Sequence, residues 1–256
     1  MYRILLAAVL TTTVSTAHAA SGDVHCTLIV DAASGRTLVE NGSCGQRFSP
    51  ASTFKVPLAL IGYDAGILVD EKRPVWKYRP EYNATKREQI TVDPTIWEKE
   101  SIIWYSREIV RRVGGKAFAR YVADFGYGNA DVTGTPGRND GMTRSWVDSS
   151  LKISPVEQVA FLRRLLDREL PVSAQAVDMT QAILPTFATG SWTVAGKTGS
   201  TRTGGNGRAI GWFVGWAEKE GRRVVFARLA VDARKEGPKG PATRAAFLAD
   251  LPSLAD

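Results

Sequence analysis

Histidine and cysteine are both scarce in this chain, with two of each among 256 residues. His18 falls in an N-terminal stretch that reads as removable, which leaves His25, beside Cys26, as the one histidine of the mature chain. That supply is poor for a zinc site of the usual His/Cys type. A Ser-His-Asp or Cys-His machine would rest on His25 alone. Proton chemistry therefore falls to lysine, glutamate, aspartate or tyrosine. Long apolar runs are missing too. The unbroken run Ile4–Leu10 has seven residues, against the ~20 needed to cross a bilayer, and no other segment is long enough. There is no internal repeat and no low-complexity stretch. With 44% hydrophobic and 23% charged residues, the composition is that of a soluble globular protein, not a disordered chain, a fibre or a disulfide scaffold. The length suits one large domain or two joined lobes.

Residues 1–20 have the pattern of a secretory signal peptide. Arg3 supplies the positive start, Ile4–Leu10 the apolar core, and Ala17-His18-Ala19-Ala20 a small-x-small cleavage site. A membrane anchor is the alternative, and the short apolar run speaks against it. Cleavage leaves about 236 residues. The formal net charge is +7. Arg3 is the only charged residue lost, so the mature chain carries one positive charge fewer. Its basic residues are scattered in pairs such as Arg111-Arg112 and Arg222-Arg223, and an exported protein rarely meets nucleic acid. Attraction for small anions is the expectation, with neither nucleic acid nor membrane as partner.

Cys26 and Cys44 flank a predicted hairpin. Thr27–Asp31 and Thr37–Asn41 are strand-like, and Ala33-Ser34-Gly35-Arg36 supplies the turn. Paired positions in a hairpin add to a constant. A loop centred on Gly35 sets that constant at 70, which Cys26 and Cys44 satisfy. The two are then near-opposite, close enough for a disulfide, and an oxidising compartment favours the bond. Two free buried thiols are the alternative if the register is off by one.

Further on, Phe54, Val56, Leu58, Leu60 and Ile61 make a segment apolar nearly all round, as in a helix buried in the middle of a domain. Pro57 must lie near its first turn, which puts Ser52 at or beside the helix N-terminus. Residues 71–100 read as irregular. A helical pattern starts near Ser101 and stops at Gly114-Gly115, and a second helix is predicted over Lys116–Asp124. Residues 126–150 are turn-rich. Ser154 and Glu157 form a capping-box pattern at another helix start, and a further helix is predicted over Ser173–Leu184. Then Trp192–Gly199, Ala209–Ala217 and Val224–Asp232 read as an antiparallel meander of strands. A last helix, Ala242–Asp250, follows Pro241. The predicted fold class is α+β, with one antiparallel sheet built from both termini, flanking helices, and an all-helical lobe set beside it. The cleft between sheet and lobe is the expected ligand site.

Two short motifs carry candidate chemistry. In Ser52-Thr53-Phe54-Lys55 the lysine follows the serine by three residues, so a helix brings them to one face. A serine needs a base to become a nucleophile. A lysine in an apolar wall is a candidate base, because desolvation lowers its pKa. The spacing alone is weak, since Ser149-Ser150-Leu151-Lys152 shares it and reads as a polar loop. Lys197-Thr198-Gly199 lies on the first strand of the meander. It offers a charge, a hydroxyl and close backbone approach to a ligand carboxylate. An early Ser-x-x-Lys on a buried helix, paired with a late Lys-Thr-Gly on a strand, is the pattern of serine penicillin-recognising enzymes.

On these motifs the chain resembles the class D, oxacillinase-type, β-lactamases over essentially its whole mature length. Ser101-Ile102-Ile103 matches the second family motif, usually Ser-x-Val, with Ile103 in the valine position. Tyr127-Gly128-Asn129 matches Tyr-Gly-Asn, which separates this class from class A. Trp212-Phe213-Val214-Gly215-Trp216 resembles the strand after Lys-Thr-Gly, and Trp146 the family's active-site tryptophan. The resemblance implies the penicillin-recognising serine enzyme fold in one two-lobed catalytic unit, residues 21–256, exported to the periplasm of a Gram-negative bacterium. It implies β-lactam hydrolysis through an acyl-enzyme on Ser52. Backbone N–H groups of Ser52 and Ser200 form the oxyanion hole. Lys197, Thr198, Gly199 and Arg244 bind substrate, Arg244 by a less secure match in a divergent stretch. Ser101 relays a proton to the ring nitrogen. Lys55 carries carbon dioxide as a carbamate and serves as general base, supported by Phe54, Ile103 and Trp146. No metal or other cofactor is implied. The alternatives are a β-lactam sensor that acylates without efficient deacylation, a D,D-peptidase, and a non-catalytic cell-wall protein. Substrate spectrum and oligomeric state are left open.

Overall fold

The computed structural model describes residues 24–232, 237 and 239–255. The predicted signal peptide lies outside them. Six strands form one antiparallel sheet: β1 (Val24–Asp31), β2 (Thr37–Gly42), β3 (Thr186–Thr189), β4 (Trp192–Arg202), β5 (Ala209–Lys219) and β6 (Arg222–Asp232). Their order is β2-β1-β6-β5-β4-β3. The meander β4-β5-β6 is thus extended by the N-terminal hairpin, and β1 pairs with β6 along its whole length, from Val24↔Val231 to Asp31↔Val224. The expected sheet from both chain ends is the one found.

Seven helices separate the hairpin from the meander: α1 (Lys55–Asp64), α2 (Pro94–Glu100), α3 (Ile103–Val113), α4 (Gly115–Asp124), α5 (Gly141–Asp148), α6 (Pro155–Leu166) and α7 (Ala174–Ile183). An eighth, α8 (Gly240–Ala255), closes the chain. Side chains alternate across the pleat, so the sheet serves two cores. Leu28 and Val30 of β1, Trp212 and Val214 of β5, and Val225 and Ala227 of β6 face the large core shared with α1 and α6. Ile29, Phe213 and Phe226 face the other way, where Phe247 and Leu251 of α8 cover them. α1 is buried from Lys55 to Tyr63, as its all-round apolar pattern requires. Ser154 and Glu157 form the predicted capping box at the start of α6.

The hairpin register differs from expectation. Cys26 pairs with Gly42, Thr27 with Asn41 and Ile29 with Val39, a constant of 68, before a bulge between Ile29 and Val30. Cys44 therefore lies two residues past its own strand. The chain turns back after Gly42, with Ser43 N–H donating to the His25 carbonyl at 2.8 Å. That turn returns Cys44 to Cys26, and the two form a disulfide with Cα atoms 5.1 Å apart. Two segments expected to lack helix contain one. α2 begins where the Asp93 side chain accepts from Ile96 N–H at 2.7 Å, with Pro94 in the first turn. α5 arises within the turn-rich stretch and carries Trp146.

Candidate active site

The site begins at a strained turn. Ala51 takes φ +51°, a costly value for a residue with a Cβ. It opens one turn of 3-10 helix, Ala51–Phe54, that runs directly into α1. Ser52 is part-exposed on this turn. Thr53 pins it from behind, its hydroxyl donating to the Pro50 carbonyl at 2.8 Å. Lys55 is the first residue of α1 and is buried. Its Nζ donates to Ser52 Oγ at 3.4 Å. Burial pulls the Lys55 ammonium down to about 7, and the neighbouring Lys197 charge adds to the effect.

A second couple faces the first. Ser101 caps the C-terminus of α2 with φ +59°, another left-handed residue that is not glycine. Because that residue breaks the helix path, α3 starts at Ile103 and not at Ser101. Lys197 reaches in from β4, and its Nζ donates to Ser101 Oγ at 3.1 Å and to the Thr198 carbonyl at 3.2 Å. Burial, then the Arg244 charge, holds Lys197 at about 8. Serine and lysine thus occur twice, each pair hydrogen-bonded, from three places in the chain.

β4 comes very close to the serine turn. A Cβ on Gly199 would stand 2.7 Å from the Pro50 carbonyl oxygen and 3.1 Å from Thr53 Cγ2, so only glycine fits there. Trp212, beside Gly199 in the sheet, donates its indole N–H to the Ser49 carbonyl at 3.0 Å. Ser200 follows on the exposed side, where its Oγ accepts from Gly240 N–H at 2.7 Å. Arg244 rests its guanidinium 4.5 Å from the Phe187 ring centre. With Lys197 and Thr198 it lines a cavity of about 450 Å³. The arginine whose match was least secure therefore borders the same recess as the Lys-Thr-Gly strand.

Phe54 and Trp146 stack with ring centres 5.4 Å apart, and both are buried. Tyr127 meets Phe54 edge-on at 5.5 Å. Ile103 is half-buried at the start of α3, and its N–H donates to Glu88 Oε1 at 2.8 Å. Tyr127-Gly128-Asn129 is a buttress. Asn129 donates from Nδ2 to the Ser150 carbonyl and accepts from Lys152 N–H, both at 2.9 Å. A Cβ on Gly128 would sit 2.0 Å from the Lys152 carbonyl oxygen. The second Ser-x-x-Lys, Ser149–Lys152, is not helical; its lysine donates to Ser49 Oγ at 2.7 Å. The residue that sequence reasoning missed is Glu98. It is buried on α2 without a hydrogen-bond partner for either oxygen, and it acts electrostatically on both lysines. With no helix expected over residues 94–100, nothing marked it as inward-facing.

Comparison with known proteins agrees with this geometry. The family model of the penicillin binding protein transpeptidase domain matches residues 14–251. Beta-lactamase OXA-9 of Klebsiella pneumoniae is 46% identical over 241 residues, 90% of this chain and 88% of that protein. The chain belongs to the class D β-lactamase family. Beta-lactamase OXA-1 of Escherichia coli is 33% identical over 80% of this chain and 75% of its own length. The crystal structure of the OXA-427 class D β-lactamase superposes with a TM-score of 0.83 at 38% identity, covering 90% of this chain and 97% of that one. Among the described residues of this class D chain, no helix is long and apolar enough to cross a membrane. Nor do three or more His, Cys, Asp or Glu gather among them as a metal site would require.

Proposed function

We propose that the protein hydrolyses β-lactam antibiotics through an acyl-enzyme on Ser52, with Lys55, carboxylated by carbon dioxide, as the general base. The observation that carries this reading is the buried Lys55, held near neutrality, with its Nζ 3.4 Å from Ser52 Oγ. Only a neutral amine adds to carbon dioxide, so a lysine that shares its proton near pH 7 is suited to become a carbamate. The carbamate takes the Ser52 proton as Oγ attacks the lactam carbonyl carbon. The backbone N–H groups of Ser52 and Ser200 stabilise the resulting oxyanion. When the carbon–nitrogen bond breaks, Ser101 passes a proton to the ring nitrogen, Lys197, hydrogen-bonded to Ser101, supplies its replacement, and the proton taken by the carbamate passes on to Lys197, which frees the carbamate to act as base again. Thr198, Arg244 and the Lys197 charge hold the substrate carboxylate, with Gly199 allowing the strand close. In the second half the carbamate takes a proton from water, the water oxygen attacks the acyl carbon, and Ser52 leaves with a proton.

The dry wall matters for the same reason as the lysine. Phe54, Trp146 and Ile103 keep water from the amine, and the Trp146 indole N–H is the expected donor to the carbamate. No further cofactor enters this scheme. Export to the periplasm of a Gram-negative bacterium after loss of residues 1–20, and one catalytic unit over 21–256, complete the proposal. Purified mature protein should turn over a chromogenic β-lactam many times in bicarbonate buffer. A single stoichiometric burst would instead identify a sensor, and no reaction a non-catalytic wall protein.

A further inference from the structure

Glu98 is an anomaly that the proposed cycle does not use. It is fully buried on α2, one helical turn before Ser101, and neither carboxylate oxygen has a hydrogen-bond partner. A bare buried carboxylate is expensive. Its compensation is electrostatic, from two lysines that are themselves buried, Lys197 on β4 and Lys55 on α1. We propose that Glu98 is a positioning residue that sets the charge of Lys55: it balances the ammonium before carboxylation and takes up one of the lysine's protons when the carbamate forms. This rests on the carbamate reading of Lys55.

An ammonium gives up two protons as its nitrogen bonds to the carbon of carbon dioxide, and a carbamate results. Glu98 carboxylate becomes the carboxylic acid with one of those protons, and the other leaves to solvent. The buried cluster then exchanges one anion for another and never holds two adjacent unpaired negative charges, which the low dielectric would punish. Burial pushes the Glu98 carboxyl upward, and both lysine charges oppose that. The charges that act on Lys55 are Lys197, Glu98, Glu88 and Arg107. Arg244 acts on Lys197, and the Tyr63 hydroxyl on α1 feels the Glu98 charge. Of these, Glu98 is the acid that bears on both lysines.

Infrared difference spectra of the mature protein, taken on adding ¹²C- or ¹³C-bicarbonate, test the proposal. Carbamate bands that shift with the isotope should appear together with the C=O stretch of a newly protonated carboxylic acid. That acid band should be missing in Glu98→Gln. The same variant should move the acid limb of the activity profile about one pH unit lower, because the anion that favours the ammonium is gone. Glu98→Asp, which keeps the charge, should retain the acid limb, whereas mere structural damage would affect both variants alike. Carbamate bands in the wild type without an acid band overturn the role of Glu98, and so does an unshifted acid limb in Glu98→Gln. Absence of carbamate bands from the wild type overturns the carbamate reading itself, and this inference with it.

Discussion

Activity should depend jointly on pH and dissolved carbon dioxide, and the size of the effect follows from Lys55. An exposed lysine has an ordinary value of 10.5, and burial beside Lys197 brings Lys55 to about 7. At pH 7 an ordinary lysine is neutral in roughly three molecules per ten thousand, whereas Lys55 is neutral in about half. The shift amounts to about 5 kcal/mol in favour of the amine. Lowering the pH from 8 to 6 should cut the neutral fraction from about nine-tenths to about one-tenth. Carbamate forms from the neutral amine, so at fixed dissolved carbon dioxide its content should fall at least about tenfold over that range. The assay is steady-state hydrolysis of a chromogenic β-lactam in degassed buffers of constant ionic strength, with carbon dioxide restored in steps. At pH 8 small additions should saturate activity, and at pH 6 much larger ones should be needed. A rate indifferent to carbon dioxide at both pH values would refute the reasoning, whatever the shape of the pH profile.

Three variants probe the site and the fold. Lys55→Ala should stall after acylation or fail to acylate, with bicarbonate giving no recovery; normal turnover by that variant sinks the assignment. Gly199→Ala places a Cβ 2.7 Å from the Pro50 carbonyl, so strand and serine turn must part, and kcat/KM should fall by at least about tenfold, a barrier of about 1.4 kcal/mol; unchanged kinetics would show that the contact is not needed. Cys26→Ser with Cys44→Ser opens a link between residues 18 apart and should cost about 3 kcal/mol in chemical denaturation, with kcat little altered because the bridge lies in the hairpin and not at the site; a loss of activity in folded variant would show coupling between them.

The parts of the fold that were legible from residue patterns share a physical cause. β4, β5 and β6 have strand-forming runs bounded by turns, and α6 and α7 carry serine caps at Ser154 and Ser173 whose side chains accept from the third residue on. These are local signals. α2 has a local signal as well, Asp93 before Pro94, but the Pro, Lys, Tyr and Trp around it obscured the helix. β3 is four residues long and is held by its pairing with β4, so it has little pattern of its own. The hairpin constant failed because a bulge and a turn after Gly42 are decided by backbone bonds, not by the identity of the cysteines. In the site, Ser52 and Lys55 were legible because three-residue spacing brings them to one face of a helical turn. Glu98 was not, because its burial and the pull of lysines 43 residues before and 99 after it in the chain exist only once α2 has packed.

The pairing of β1 with β6 has a consequence for how the chain is made. Partners such as Val24 and Val231 are joined only after the whole stretch between them has been synthesised. Contacts of such long range slow folding, because the loop must close before they reward it. The serine turn is braced by Gly199 and Trp212, so a nascent chain lacking its last strands has neither a finished sheet nor a braced serine turn. Such a chain stays open until its last strand arrives to flank its first.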